Sequence, residues 1–194
     1  MKTIMKTCIY TIDNENRIIN VSGNWLSFAL ENQAAESCHP DRVINEPIWK
    51  FIAGNETRYL YELCIAKVRS QQQTMILPFR CDAPDRRRYL ELKMTPLAQE
   101  QIEFASRIIR EEPRENVKLL QIDVSRSDAL IKMCSMCKKV KMSESVWIEV
   151  EDAIHVLRLF EEDFLPKITH GCCLPCYEIA MDEIRKLKGG TSAP

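Results

Sequence analysis

Two pairs of cysteines carry the clearest chemistry in this sequence. Cys134-Ser-Met-Cys137 and Cys173-Leu-Pro-Cys176 are both C-x-x-C knuckles, and Thr169-His170-Gly171-Cys172 runs directly into the second. A C-x-x-C turn places two thiolates on one side of the chain, and two such turns facing each other make a tetrahedral sulfur site suited to zinc. A single pair would say little, since helices carry cysteines at i, i+3 by chance. The matched pair favours a bound metal over the two other readings, a redox dithiol or plain buried thiols. The stretch between the knuckles is longer than the usual zinc-finger gap, so an inserted helix is expected to fill it.

The residues around the knuckles refine this expectation. Lys138 and Lys139 are cations that favour thiolates and offset the negative charge of a zinc centre with four thiolate ligands. Pro175 fits the first turn of a helix that continues through Ile179 and Ile184, which would aim its positive N-terminal dipole at the sulfur. A knuckle followed by a helix-borne pair is treble-clef-like. A second helix is expected over Ser145–Glu162, where Trp147, Val150, Ile154, Leu157 and Phe160 would pack over the site. His170 is a second candidate, as an alternative ligand or as a donor to a bound thiolate. Cys172 reads as a spare buried thiol, because adjacent side chains diverge and Cys173 is already in a pair. Four thiolates leave no position for water, so the metal is expected to be structural and the protein not to be an enzyme. Glu149 and Glu151 are expected to be solvated.

The composition sets wider bounds. The 194 residues suffice for one large domain or two small ones. With 45% hydrophobic and 28% charged residues and a net charge of −1, the chain is ordinary for a globular protein. That balance argues against nucleic acid or an anionic membrane as partner. No apolar run reaches the ~20 residues of a membrane span, and the start of the chain does not read as a signal peptide. Five of the nine cysteines cluster in the last third while Cys8, Cys38, Cys64 and Cys81 are scattered, which fits a reducing cytoplasm better than a disulfide framework.

The first 113 residues must supply the platform. Cys8–Asp13 and Arg17–Val21 are β-rich runs around the turn chemistry of Asp13-Asn-Glu-Asn16. Asn24 can cap a helix through Trp25, Phe28 and Leu30. Glu31–Arg42 reads as irregular with Pro40 as a breaker, Pro47–Ile52 as a short helix, and Glu56–Ser70 as the longest helix of this half, with Leu60, Leu63, Cys64, Ala66 and Val68 along it. Thr74–Cys81, Arg88–Thr95 and Ile102–Ile109 read as strands, the second with clean alternation. Five antiparallel strands with helices on one face make an α+β domain. Residues 114–130 form an ordered join in which Leu119, Leu120 and Ile122 are expected to lie against the sheet, and Asp123–Asp128 to cap a short helix into Leu130-Ile131. Residues 131–188 are the metal-binding module, small and mainly helical, and 189–194 a disordered tail.

The order strand, strand, helices, three strands is that of a PAS domain, and the local wording agrees. Tyr10-Thr-Ile-Asp13, Arg17-Ile-Ile-Asn20, Asn24-Trp25, Pro47–Ile52 and Pro78-Phe-Arg-Cys-Asp82 resemble a group of bacterial single-PAS proteins with a cysteine-rich tail. Met133–Lys139, Trp147–Glu151 and Thr169–Cys176 resemble the tail motifs of that group, which also occur on some PAS-containing sensor kinases; Cys172 departs from the aliphatic residue expected there. The resemblance implies a cytoplasmic, non-enzymatic signalling protein, a sensor or interaction module with structural zinc, acting on a protein partner and able to pair with itself through the PAS half. It implies a cavity between sheet and helices, with Trp25, Phe28, Trp49, Phe51, Phe79, Leu92 and Phe104 as candidate walls, although the plainer reading of any single one is a core residue. Haem is not expected, because His39, the one histidine of this half, sits beside Pro40 in a polar stretch. Flavin photochemistry is not expected for want of its cysteine motif. The Arg86-Arg87-Arg88 run reads as a solvated turn rather than a dock for an acidic partner. A thiol-based redox sensor, in which the zinc–cysteine cluster oxidises, is the alternative.

Overall fold

The computed structural model describes residues 7–159 and 163–187. Strands β1 (Thr7–Ile12) and β2 (Ile18–Gly23) form the first hairpin. Its turn is nucleated by Asp13, whose carboxylate accepts from the N–H groups of Glu15 at 2.9 Å and Arg17 at 2.8 Å. Strands β3 (Met75–Arg80), β4 (Arg86–Pro96) and β5 (Ile102–Pro113) complete a sheet of order β2-β1-β5-β4-β3, antiparallel throughout. The last strand thus inserts between the first hairpin and the second. Cross-strand partners put Leu77 opposite Leu92, Met94 opposite Phe104, and Phe104 opposite Tyr10, so one face is apolar across four strands.

Helices cover that face. In α1 (Trp25–Glu31), Asn24 does not cap with its side chain; its Oδ1 accepts instead from the Thr7 N–H at 3.2 Å, tying the helix entry to β1. The stretch expected to be irregular contains α2 (Pro40–Val43). Proline opens this helix rather than breaking one, since its missing N–H costs nothing in a first turn, and His39 Nδ1 accepts from the Asp41 N–H. Pro47–Ile52 yields only a 3-10 turn at Ile48–Lys50. The long helix α3 (Asn55–Gln71) buries Leu60, Cys64, Ile65 and Val68, while Ala66 faces outward.

The rest of the chain is not mainly helical. Strands β6 (Arg126–Cys134), β7 (Val140–Lys141), β8 (Trp147–Ile148) and β9 (Leu165–Gly171) form a second sheet of order β8-β7-β6-β9, with β6 and β9 parallel. Two helices accompany it, α4 (Val150–Val156) and α5 (Leu174–Lys186). The capped helix expected near Leu130 is replaced by β6, because pairing with β9 overrides a weak local preference. The helix expected over Ser145–Glu162 is reduced to α4: Trp147 lies in β8, and Arg158 at φ 51 turns the chain out of helical geometry. Phe160 and Glu162 of that expectation lie outside the described residues, as does 189–194.

Two cores result. The smaller one gathers Val117, Leu119, Met133, Val140, Val150, Ala153, Leu159 and Leu165. Leu119 therefore packs into the second sheet's core, not against the first sheet, and Ile122 is 65% exposed. The larger core joins Leu60, Cys64, Val68, Leu77, Leu92 and Phe104 to Cys134, Met136, Cys173 and Ala180. The cysteine-bearing end of the chain thus closes the core of the first sheet.

Candidate metal centre

The parallel pairing of β6 and β9 positions both knuckles. Cys134 at the end of β6 is in register with Gly171 at the end of β9, so the two C-x-x-C turns leave the sheet side by side. The first knuckle closes through Lys138 N–H to Cys134 O at 3.0 Å and Cys134 N–H to Lys139 O at 2.8 Å, with Lys138 at φ 63. The second opens α5: Cys173 is its N-cap residue, Pro175 occupies the first turn and Cys176 follows. Ser135 N–H donates to Gly171 O at 2.8 Å and fastens one knuckle to the other.

Cys134, Cys137, Cys173 and Cys176 converge, their four sulfurs all within 4.8 Å of one another. Cys137 Sγ lies 3.6 Å from Cys173 Sγ, and the Cys173 N–H points at Cys134 Sγ at 3.4 Å. Cys134 and Cys173 are buried; Cys137 and Cys176 are half-buried. Hydrogen bonds from Cys137 first, then Cys172, Cys173 and Cys176, hold the Cys134 thiol far below its ordinary range. Cys173 is lowered to about 7: its bond with Cys134 pushes upward, and those with Cys137 and Cys176 pull it down. Four soft donors in mutual contact, two of them inclined to ionise, can hold a metal ion such as zinc.

His170 is not among the four. Its ring is half-buried on β9, and burial, with Lys138 second, lowers its pKa. Its backbone has the clearer role. Gly54, at φ +85 just before α3, comes so close that a Cβ there would sit 2.4 Å from His170 O. Cys172 also stays outside the four, its thiol directed at Cys173 O at 3.6 Å and lying against Cys134.

No protein-family model matches the chain, and no curated protein matches it.

The surroundings of the knuckles hold a feature that residue types did not announce. Arg80 at the end of β3 donates its backbone N–H to Met136 O, inside the first knuckle, at 2.7 Å. Its guanidinium donates to Asp82 at 2.5 Å and to Glu149 at 2.7 Å. Arg114 bridges Asp82 and Glu151, each at 3.1 Å, and Arg87 pairs with Glu151 at 2.9 Å. Glu149 and Glu151 are therefore not solvated: they hold the start of α4 against the β3–β4 hairpin. The arginine run is likewise not a solvated turn. Arg86 pairs with Asp85 in the open, but Arg88 is only 3% exposed, bonded to Glu111 and Asn32 with its guanidinium 5.3 Å from the Phe28 ring centre. Apart from Asp82 beside Arg80, the acidic partners of Arg80, Arg87 and Arg114 lie 32 to 69 positions away in the chain, and residue types alone do not specify such pairs.

On the helix-covered face of the first sheet lies a cavity of about 240 Å³, walled by Tyr10, Trp25, Phe28, Phe79, Leu90 and Ile108 among others. Of the expected wall residues, Trp25, Phe28 and Phe79 line it. Trp49, Leu92 and Phe104 pack elsewhere in the core, and Phe51 is exposed. No helix among the described residues is long and apolar enough to cross a membrane.

Proposed function

We propose that this is a non-enzymatic cytoplasmic signalling protein, with a PAS-type sensor half and a structural zinc module, acting through a protein partner or a second copy of itself. The observation that carries the reading is the convergence of four thiols at the end of the second sheet, where Cys134 and Cys173 close the core of the first sheet, which carries the apolar cavity. Two strands, helices and three strands in an antiparallel sheet agree with the PAS resemblance of the sequence. Four cysteine ligands complete a tetrahedral zinc shell and leave no site for a reacting water, which makes the metal structural. In so small a module its binding energy is folding energy. Elemental analysis of anaerobically purified protein tests this: one zinc per chain is expected, and Cys137→Ser should lower the retained metal at least tenfold under chelator competition. Zinc-free protein that keeps its fold refutes the structural role.

A redox sensor is the second reading, favoured by one observation: a fifth thiol, Cys172, lies against Cys134. Peroxide accepting two electrons from a thiol pair, and reduced to water, would leave a disulfide and release the metal. Zinc that stays bound after mild peroxide treatment removes this reading.

A further inference from the structure

We propose that the cavity binds an uncharged, flat aromatic molecule of two fused rings carrying one hydrogen-bonding group, the class to which naphthols and indoles belong. This rests on reading the first half as a sensor and names what it senses.

Size comes first. An apolar cavity of roughly 150 Å³ admits benzene, and this one, at about 240 Å³, has space for a second ring. Shape follows from the walls. Tyr10, Trp25, Phe28 and Phe79 present aromatic surfaces, and they are held in place: Tyr10 stacks on Phe104 with centroids 4.7 Å apart and meets Trp25 edge-on at 6.1 Å. A preformed aromatic slot favours a rigid planar occupant, which loses little conformational freedom on binding.

Polarity is set by what the wall has left to offer. Trp25 Nε1 donates to Cys38 O at 2.7 Å. The Asn32 amide donates to Phe28 O at 2.7 Å, and its oxygen accepts from Arg88 at 2.7 Å. Ser106, on β5 opposite Cys8 and Leu92, brings a hydroxyl that among the described residues has no hydrogen-bond partner. The Ser106 hydroxyl can meet one donor or acceptor on the ligand. No charged side chain lines the cavity, so an ionised ligand would shed its hydration without compensation.

Ligand-observed NMR on the zinc-loaded full chain tests this with 2-naphthol, 2-methylnaphthalene and naphthalene-2-carboxylate. 2-Naphthol should bind at one site, and the carboxylate at least tenfold more weakly. Ser106→Ala, which removes a single oxygen, should weaken 2-naphthol by roughly two- to tenfold and leave 2-methylnaphthalene unchanged. Failure of 2-naphthol to bind, a carboxylate of equal affinity, or a Ser106→Ala effect shared by both neutral probes overturns the inference. Zinc content measured on the same sample separates the outcomes: a zinc-loaded chain that ignores 2-naphthol refutes the ligand class and leaves the metal centre standing.

Discussion

Asp82→Asn probes how tightly the metal module is held to the first sheet. The Asp82 side chain is 1% exposed. It accepts from Arg80 Nε at 3.2 Å and Nη2 at 2.5 Å, from Arg114 Nη1 at 3.1 Å and from the Arg88 backbone N–H at 3.3 Å. Arg80, Arg87 and Arg114 are balanced by Asp82, Glu149 and Glu151, and the substitution breaks that balance without changing the shape of the side chain. It leaves two arginines, 8% and 6% exposed at their side chains, short of a counter-charge. Breaking a buried ion pair from one side costs about 3–5 kcal/mol, a large share of the 5–15 kcal/mol typical of a whole domain. At about 2–4 °C per kcal/mol for a chain of this size, Tm should fall by about 6–20 °C. Urea unfolding of the zinc-loaded protein, followed by far-UV circular dichroism and tryptophan fluorescence, measures the loss. Arg114→Gln completes a double-mutant cycle, in which the pair should couple by at least about 1 kcal/mol. A loss below about 1 kcal/mol, or strict additivity, would show that the network is electrostatically idle and that packing alone joins the halves.

Gly54→Ala should destabilise by more than about 1 kcal/mol and weaken zinc retention, since its Cβ would push α3 away from His170; chelator competition checks the second effect. Leu119→Ala should cost about 2–5 kcal/mol in urea unfolding, because the side chain is 1% exposed within the second core. Burial pushes the Glu151 carboxyl up, but its backbone hydrogen bond and then Arg87 pull it further down, and the net pKa is lowered. A lowered folded pKa contributes stability above the unfolded value of about 4.3, and that contribution is lost as pH falls through the folded pKa. Glu151→Gln should therefore flatten the acid side of the stability–pH curve, and a variant as acid-sensitive as the parent would count against the ion pairs.

The cysteine centre was legible because its signal is local: two C-x-x-C turns of equal spacing can be read without knowing what lies between them. The strands of the first half were legible for a similar reason, with Leu90, Leu92 and Met94 alternating against Tyr89 and Glu91. What lay around the knuckles was not. β6 exposes Leu130 and buries Met133 and Cys134, a pattern that becomes a strand only when β9 is beside it. The apolar spacing of Ser145–Glu162 looked helical throughout, yet spacing says nothing of the left-handed turn at Arg158 that ends α4. The ionic network was invisible for the most basic reason. Arg80 and Glu149 are 69 positions apart, and charge pairing over that separation is fixed by the fold alone.

Three consecutive residues of β3 and the turn after it touch both halves of the protein. Neighbouring side chains on a strand point to opposite faces, so Phe79 and Cys81 line the cavity while Arg80 reaches Asp82 and Glu149 on the other side. The Arg80 backbone N–H is bonded to Met136 within the first knuckle. Displacement of this short run by a molecule in the cavity would load a backbone hydrogen bond of the metal centre and the salt bridge to α4 together. Coupling between sites requires a contiguous element with two arrangements. The end of β3 touches cavity, metal knuckle and ionic network, whereas Ile122 in the join is exposed and Leu119 is committed to the second core. A displacement at the cavity would therefore reach the cysteine site through the edge strand of the first sheet, while the join anchors the second one.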